Sequence, residues 1–238
     1  MSQDVPQQLA QNLQAFRTAE AVADLSVYRL FADEEYLFPK YYKPGETVLD
    51  LACGLGRTTL LLHEMGIQVR GVDRSEVFIE IARRRLPYLD LQVGSYDHIE
   101  EADASFSHVL ISFNGIDYAF PVSQREAALR ECARVLKPGG TFIFSSHNLK
   151  SLHWFSPYYR DRLAWKLRNC PKAFKEWDYI EEDGVHCFYA SPKFTIAQTQ
   201  AVGLQLLEVK GFSKFQNASV DQYFSPYVDY VFTKPPVT

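Results

Sequence analysis

The sequence has no run of about 18 apolar residues, and its start, MSQDVPQQLAQNLQ, lacks the basic end and apolar stretch of a secretory signal. A membrane-spanning or exported chain is therefore not expected, and a cytoplasmic one is. Cysteine is scarce and scattered: Cys53, Cys132, Cys170 and Cys187 form no C-x-x-C pair and no His/Cys cluster at metal-ligand spacing. Reduced thiols filling apolar space are expected, with no disulfide framework and no metal site. Positive charge is not in surplus either, since 25 Lys and Arg stand against 29 Asp and Glu. That balance disfavours a surface built to coat a phosphate backbone, so nucleic acid is not expected as a partner. Internal repeats, low-complexity tracts and linker-like stretches are also missing, and the 238 residues read as one domain.

What is present is an alternation of strands and helices between residues 47 and 150. Thr47 to Leu51, Gln68 to Val72, Leu89 to Val93, Ser107 to Ser112 and Thr141 to Ser146 are short and nearly unbroken in apolarity, as strands buried on both faces of a parallel sheet must be. Helices are expected from Arg57 to Met65, from a Ser75 cap to Arg85, and from Arg125 to Leu136, where apolar residues recur at helical spacing. Lys137-Pro138-Gly139-Gly140 then turns the chain. Arg83, Arg84 and Arg85 fit a solvated helix end favoured by the helix dipole better than a phosphate site. Farther on, Ser191-Pro192 and Gly203 bracket a helix over Pro192 to Val202, and strands at Leu204 to Lys210 and Tyr227 to Thr233 are expected to pair antiparallel. Residues 1–45 read as a helical extension. Residues 151–190, dense in Trp, Tyr and Phe, read as an insertion able to cover an acceptor, and 191–238 as a C-terminal helix and β-hairpin.

The stretch VLDLACGLGRTTLLL, residues 48 to 62, is a strand, a glycine-containing turn and a helix start. Gly54 and Gly56 let the backbone pass close beneath a ligand, and Asp73, at the end of the second strand, is placed to accept two hydrogen bonds from a ribose diol. A dinucleotide fingerprint would need Gly or Ala where Thr59 stands. Asp50, at the end of the first strand, is awkward beside a pyrophosphate but suits an ammonium group. The ligand implied is a nucleoside joined to a zwitterion, which S-adenosylmethionine fits.

VLDLACGLG, GVDRS, VGSYDHI, FSHVLISFNGIDY and RVLKPGGTFIFSSHN, in that order, resemble the motifs of the class I S-adenosylmethionine-dependent methyltransferases. The resemblance implies an α/β Rossmann-like fold, a seven-stranded mostly parallel sheet of order 3-2-1-4-5-7-6 whose seventh strand is antiparallel. It implies that Ala52, Cys53, Gly54 and Gly56 lie under the methionine portion, with Asp50 reaching its ammonium. Asp73 would hold the ribose, Arg74 would flank the adenine, and Ser95 and Tyr96 would meet its edge. Ser112 and Phe113 would line the methionine side, and Tyr28 would close over the donor. Ala52 departs from a common glycine, and Ser95 from a common acid that Asp97 can replace. For the acceptor, a small molecule methylated at oxygen or nitrogen, the resemblance and the strand-end position point to Asn114, Asp117 and Asn148 as contacts and to His147 as the group taking up a proton. The product would be S-adenosylhomocysteine. A nicotinamide-dependent oxidoreductase, a macromolecular methyltransferase and a binding module without turnover remain as rivals, and a homodimer as an assembly to test.

Overall fold

A computed structural model describes residues 5–15, 28–151, 178–180, 185–211 and 225–236. The chain begins with α1 (Val5–Ala15) and α2 (Ala32–Tyr41), then alternates β1 (Thr47–Leu51), α3 (Arg57–Glu64), β2 (Gln68–Asp73), α4 (Glu76–Arg85), β3 (Asp90–Val93) and β4 (Phe106–Ile111). A 3-10 turn (Gly115–Tyr118) and α5 (Val122–Val135) lead into β5 (Leu136–His147). The remaining elements are β6 (Asp178–Ile180), β7 (His186–Phe188), α6 (Pro192–Gln200), β8 (Gln205–Gly211) and β9 (Tyr227–Thr233).

Seven strands form one sheet of order β3-β2-β1-β4-β5-β9-β8. β9 runs antiparallel to both neighbours, and the other six are parallel. This is the fold class and order expected from the sequence. The period-2 alternation of strand side chains divides the core into two layers. Leu49, Leu51, Val109, Ile111, Phe142 and Phe144 face α5 through Leu129, Cys132 and Val135. Val48, Val69, Leu110 and Ile143 face the other way, against Leu62 of α3 and Leu37, Phe38 and Tyr42 around α2. A third cluster, built on Ile79, Ala82 and Leu91, seats α4 against β3.

The element ends follow local chemistry. Ser75 Oγ accepts from the Phe78 N–H and caps α4, and Ser191 Oγ does the same for Phe194 at the start of α6. α5 begins at Val122, three residues before the expected start at Arg125, because Pro121 supplies the extended entry. The expected turn at Lys137–Gly140 lies inside the span of β5, where pairing with β4 jumps from Phe106↔Leu136 to His108↔Thr141. The Lys234 ammonium closes the C-terminal end of α5, donating to the Ala133 and Leu136 carbonyls at 2.7 and 2.8 Å.

α2 is fastened to the far edge of the sheet, where Lys40 Nζ and Tyr41 Oη both donate to Glu208 of β8 at 2.6 Å. Most of the aromatic segment at 151–190, Cys170 included, lies outside the described residues. Its described end holds a feature the sequence reading did not anticipate, a small antiparallel pair of β6 and β7. No helix among the described residues is long and apolar enough to cross a membrane.

Candidate active site

At the carboxyl ends of β1, β2 and β4 the chain leaves the sheet in three tight turns, and a cleft opens between them. Ala52, Cys53 and Gly54 form one wall, Asp73 and Arg74 a second, and Ser112, Phe113 and Gly115 a third. The β1 turn requires left-handed backbone at Ala52, Gly54 and Gly56, with φ of 55°, 56° and 82°. A Cβ on Gly54 would meet nothing within 4 Å, so that face is open to a ligand. Ala52 is held in a conformation that costs an alanine about 1 kcal/mol, so Ala52→Gly is expected to raise stability by roughly that amount in denaturant unfolding. No gain would mean that packing of the Ala52 methyl against Gly115 offsets the strain.

Asp73 stands at the lip of the cleft and organises both of its neighbours. Its Oδ2 accepts from the Gly54 N–H at 2.9 Å and its Oδ1 from the Ser75 N–H at 2.8 Å. Desolvation raises its carboxyl pKa, and these two donors oppose the rise. Arg74 reaches Ser95 Oγ at 2.6 Å and Asp97 Oδ1 at 2.9 Å, and its guanidinium lies 5.6 Å from the centre of the Tyr96 ring. Tyr96 lines the cleft. Ser95 also donates to Asp97, so these residues form one unit at the β3 end of the site.

Asp50 lies beneath the glycine turn, fully buried. Its Oδ2 accepts from the Thr58 and Thr59 hydroxyls, each at 2.7 Å, while Oδ1 has no hydrogen-bond partner among the described residues. Burial raises the carboxyl to about 6, with the two threonine hydroxyls and the Arg57 charge pulling it back. Thr59 therefore has a specific task where a dinucleotide site would carry a small residue. It also needs room: a Cβ on Gly71 would sit 2.8 Å from its hydroxyl. An orphaned, buried carboxylate oxygen suits an ammonium partner. Tyr28 is set to one side, its hydroxyl donating to the Leu55 carbonyl at 3.4 Å. Gly56 packs toward Leu86 and Leu91.

Of the residues expected on the acceptor side, Asp117 and His147 meet, Asn114 and Asn148 make separate contacts, and none of the four is among the residues that line the cleft. Asp117, fully buried, accepts at Oδ1 from Arg125 Nη1 and Ser146 Oγ, both at 2.7 Å. Its Oδ2 accepts from the His147 N–H at 2.7 Å and sits 2.8 Å from His147 Nδ1. The Tyr189 ring stacks on the His147 ring at 4.3 Å. Asp117 thus positions His147 and fixes its tautomer, leaving Nε2 as the ring's basic nitrogen. Asn114, at φ 59°, donates its N–H to Ser145 Oγ at 2.7 Å, and its buried Oδ1 has no partner among the described residues. Asn148 ties down the chain, donating to the Ser225 carbonyl and accepting from the Lys150 N–H, each at 3.0 Å.

Several cleft residues carried no signal that a single sequence could expose. Asn12 of α1 exchanges two hydrogen bonds with the His186 backbone, at 2.8 and 3.2 Å, and lines the cleft from the amino-terminal side. Arg57 also lines it, in a bidentate ion pair with Glu34 of α2. No group of three or more His, Cys, Asp or Glu placed to hold a metal occurs among the described residues.

Residues 48–140 match the family model described as a methyltransferase domain. A demethylmenaquinone methyltransferase of Beutenbergia cavernae is 33% identical over 144 residues, covering 59% of this chain and 58% of the relative. A ubiquinone/menaquinone biosynthesis C-methyltransferase of Rubrivivax gelatinosus is 34% identical over 138 residues, covering 55% and 53%. The chain thus spans little more than half the length of these relatives. A crystal structure of an S-adenosylmethionine-dependent methyltransferase from Methanosarcina mazei superposes with a TM-score of 0.68 at 18% identity, covering 85% of this chain and 98% of that one. The matched segment runs from β1 into the turn at the start of β5 and holds the glycine turn, Asp73 and the β4 strand end, so this part of the chain is similar to a methyltransferase domain in both sequence and fold.

Proposed function

We propose that the protein binds S-adenosylmethionine in the cleft between β1 and β2 and directs its methyl group to an oxygen or nitrogen of a small molecule. The observation that carries the cofactor half is the pairing of Asp73 at the lip with the unpartnered oxygen of Asp50 below the turn. Asp73, lining the cleft, is placed for a sugar diol, and Asp50, buried beneath the glycine turn, suits an ammonium. When bound, the sulfonium supplies an already activated methyl group for in-line displacement. The chain's own residues align, exclude water and handle the proton. Ala52, Cys53 and Gly54 support the amino-acid end, Arg74, Ser95 and Tyr96 the base, and Ser112 and Phe113 the side toward the acceptor. His147, held by Asp117, takes the proton from a hydroxyl or ammonium acceptor, and the Asn114 side-chain oxygen receives a donor group from it.

A second reading, methylation at carbon, draws support from the two relatives named for quinone biosynthesis. Incubating the protein with methyl-labelled cofactor and a size-fractionated cell extract tests the acceptor class. Label in small metabolites supports the proposal, and the labelled atom decides between carbon and heteroatom. Label only in macromolecules overturns it. Calorimetry tests the cofactor: S-adenosylhomocysteine should bind and NAD should not, and the reverse preference rejects the reading.

The raised pKa of Asp50 gives that binding a pH signature. The folded protein keeps a proton near pH 5 that the unfolded chain, at 3.8, has largely lost, so ionising Asp50 lowers the stability of the free protein. A ligand ammonium stabilises only the ionised form. Affinity for S-adenosylhomocysteine should therefore rise about 10-fold from pH 5 to 7.5 and level off above 7, with a proton released on binding at the acid end. A flat profile removes Asp50 from the ammonium site.

A further inference from the structure

Just beyond β4 the chain passes through two successive residues with left-handed backbone, Phe113 at φ 50° and Asn114 at φ 59°. Asparagine tolerates that region, whereas a phenylalanine is held there at a steric cost. The core gains little in return, because the Phe113 side chain is 56% exposed. Five large apolar side chains are exposed among the described residues, and of these only Phe113 lines the cleft. Tyr36 lies beneath the Lys40 and Lys210 ammonium groups and Tyr88 leans on His63, while Val93 and Leu207 sit on the two edge strands, β3 and β8. Backbone strain and an open ring at one cleft residue mark a side chain kept for a ligand.

The ring is also backed. Phe31, the residue before α2, stacks on it with ring centres 5.4 Å apart and planes 22° apart. Phe31 is fixed in turn: its N–H donates to Glu34 Oε2 at 2.8 Å, and the Arg57 guanidinium carbon lies 4.5 Å from its ring centre. Glu34 and Arg57 hold each other in their bidentate ion pair. A preorganised pair of rings therefore stands on the β4 wall of the cleft.

Stacked rings favour a further flat π-system over a saturated body of equal size, because face and edge charge distributions match as well as shape. The base of the cofactor is assigned to the β3 end of the cleft, beside Tyr96 and Arg74, and β3 and β4 lie on opposite sides of β1 in the sheet. The β4 wall is thus left for a second flat molecule. We propose that Phe113, backed by Phe31, is the acceptor platform of the cleft, and that the methyl acceptor is a flat, conjugated ring compound lying against it. This rests on the methyltransferase reading above and narrows its small molecule to one chemical class. A wall that is merely apolar predicts no discrimination between flat and saturated molecules of one size.

The test is titration, followed by NMR, of the protein saturated with S-adenosylhomocysteine. The probes are 2-naphthol, which is flat, and 2-decalol, its fully hydrogenated counterpart. Wild type should bind 2-naphthol about 3- to 10-fold more tightly than 2-decalol, the size of one aromatic stacking contact. Phe113→Leu should bring that ratio under about 2-fold by weakening 2-naphthol, with S-adenosylhomocysteine held within about 2-fold of wild type. Phe113→Trp should keep the ratio or raise it. Phe31→Leu, which removes the backing ring, should lower the ratio too, and it carries the test if Phe113→Leu does not fold. A wild-type ratio under about 2-fold, binding of neither probe, or a full ratio in Phe113→Leu overturns the proposal. So does a Phe113→Leu variant that weakens S-adenosylhomocysteine and spares 2-naphthol, which returns Phe113 to the cofactor. Failure of S-adenosylhomocysteine itself to bind the wild type removes the methyltransferase reading, and the proposal with it. Bound S-adenosylhomocysteine with no preference for the flat probe removes only the platform.

Discussion

Asp117→Ala is expected to destabilise the protein by about 3–5 kcal/mol, the cost of leaving a buried charge without its partner. Arg125 is among the largest fully buried side chains and is completely shielded from solvent, as is Asp117. Its other contacts are too weak to replace a carboxylate: Gln198 Oε1 at 3.0 Å, Ser146 Oγ at 3.4 Å and the face of Phe188 at 4.4 Å. At about 2–4 °C per kcal/mol for a chain of this size, the midpoint of thermal unfolding should drop by roughly 6–20 °C. Replacing both partners with apolar residues, Asp117→Leu with Arg125→Met, should recover most of the loss, because no uncompensated charge then remains. Scanning calorimetry on the two variants decides the matter. A single substitution within 1 kcal/mol of wild type would mean that the pair is not dry. The same substitution frees the His147 ring, so any acceptor-dependent turnover should fall with it.

Asp73→Ala should weaken S-adenosylhomocysteine by about 10- to 100-fold, since it removes hydrogen bonds to a charged acceptor. The structure adds a reason beyond the ribose. Asp73 also receives the Gly54 N–H and so shapes the glycine turn of the cleft. The loss should therefore extend to ligands without a ribose diol, such as a 2′,3′-dideoxy analogue, although to a smaller degree. Unchanged affinity for S-adenosylhomocysteine would dismiss the assignment of Asp73 to the sugar.

The sheet was legible because parallel strands buried on both faces leave continuous apolar runs, and because Ser75, Ser191 and Pro192 announce helix starts in a way that depends on neighbours in the chain. The turn and the acid that line the cleft were legible for the same reason, as the glycine turn and Asp73 belong to one strand-turn-helix-strand unit. The pairing of Asp117 with His147 was not. They are 30 residues apart and meet only because β4 and β5 are neighbours, so one was read as an acceptor contact and the other as a separate base. Arg57 and Glu34 were missed because an arginine after a glycine turn looks like a solvated helix start, and nothing local to α2 marks Glu34 as its partner. The α5 boundary moved because apolar periodicity sees only the buried face, whereas a helix begins where its backbone does.

The position of β9 between β5 and β8 bears on how the protein is made. On the ribosome, β5 emerges long before the segment that pairs with its free edge, Thr141 meeting Thr233 only after about 90 further residues. Until then Phe142 and Phe144 sit on an unpaired strand edge, which is the kind of surface that recruits other nascent chains. Slowed translation downstream of β5 should therefore lower soluble yield more than equal slowing upstream of β1, where no such edge is yet waiting.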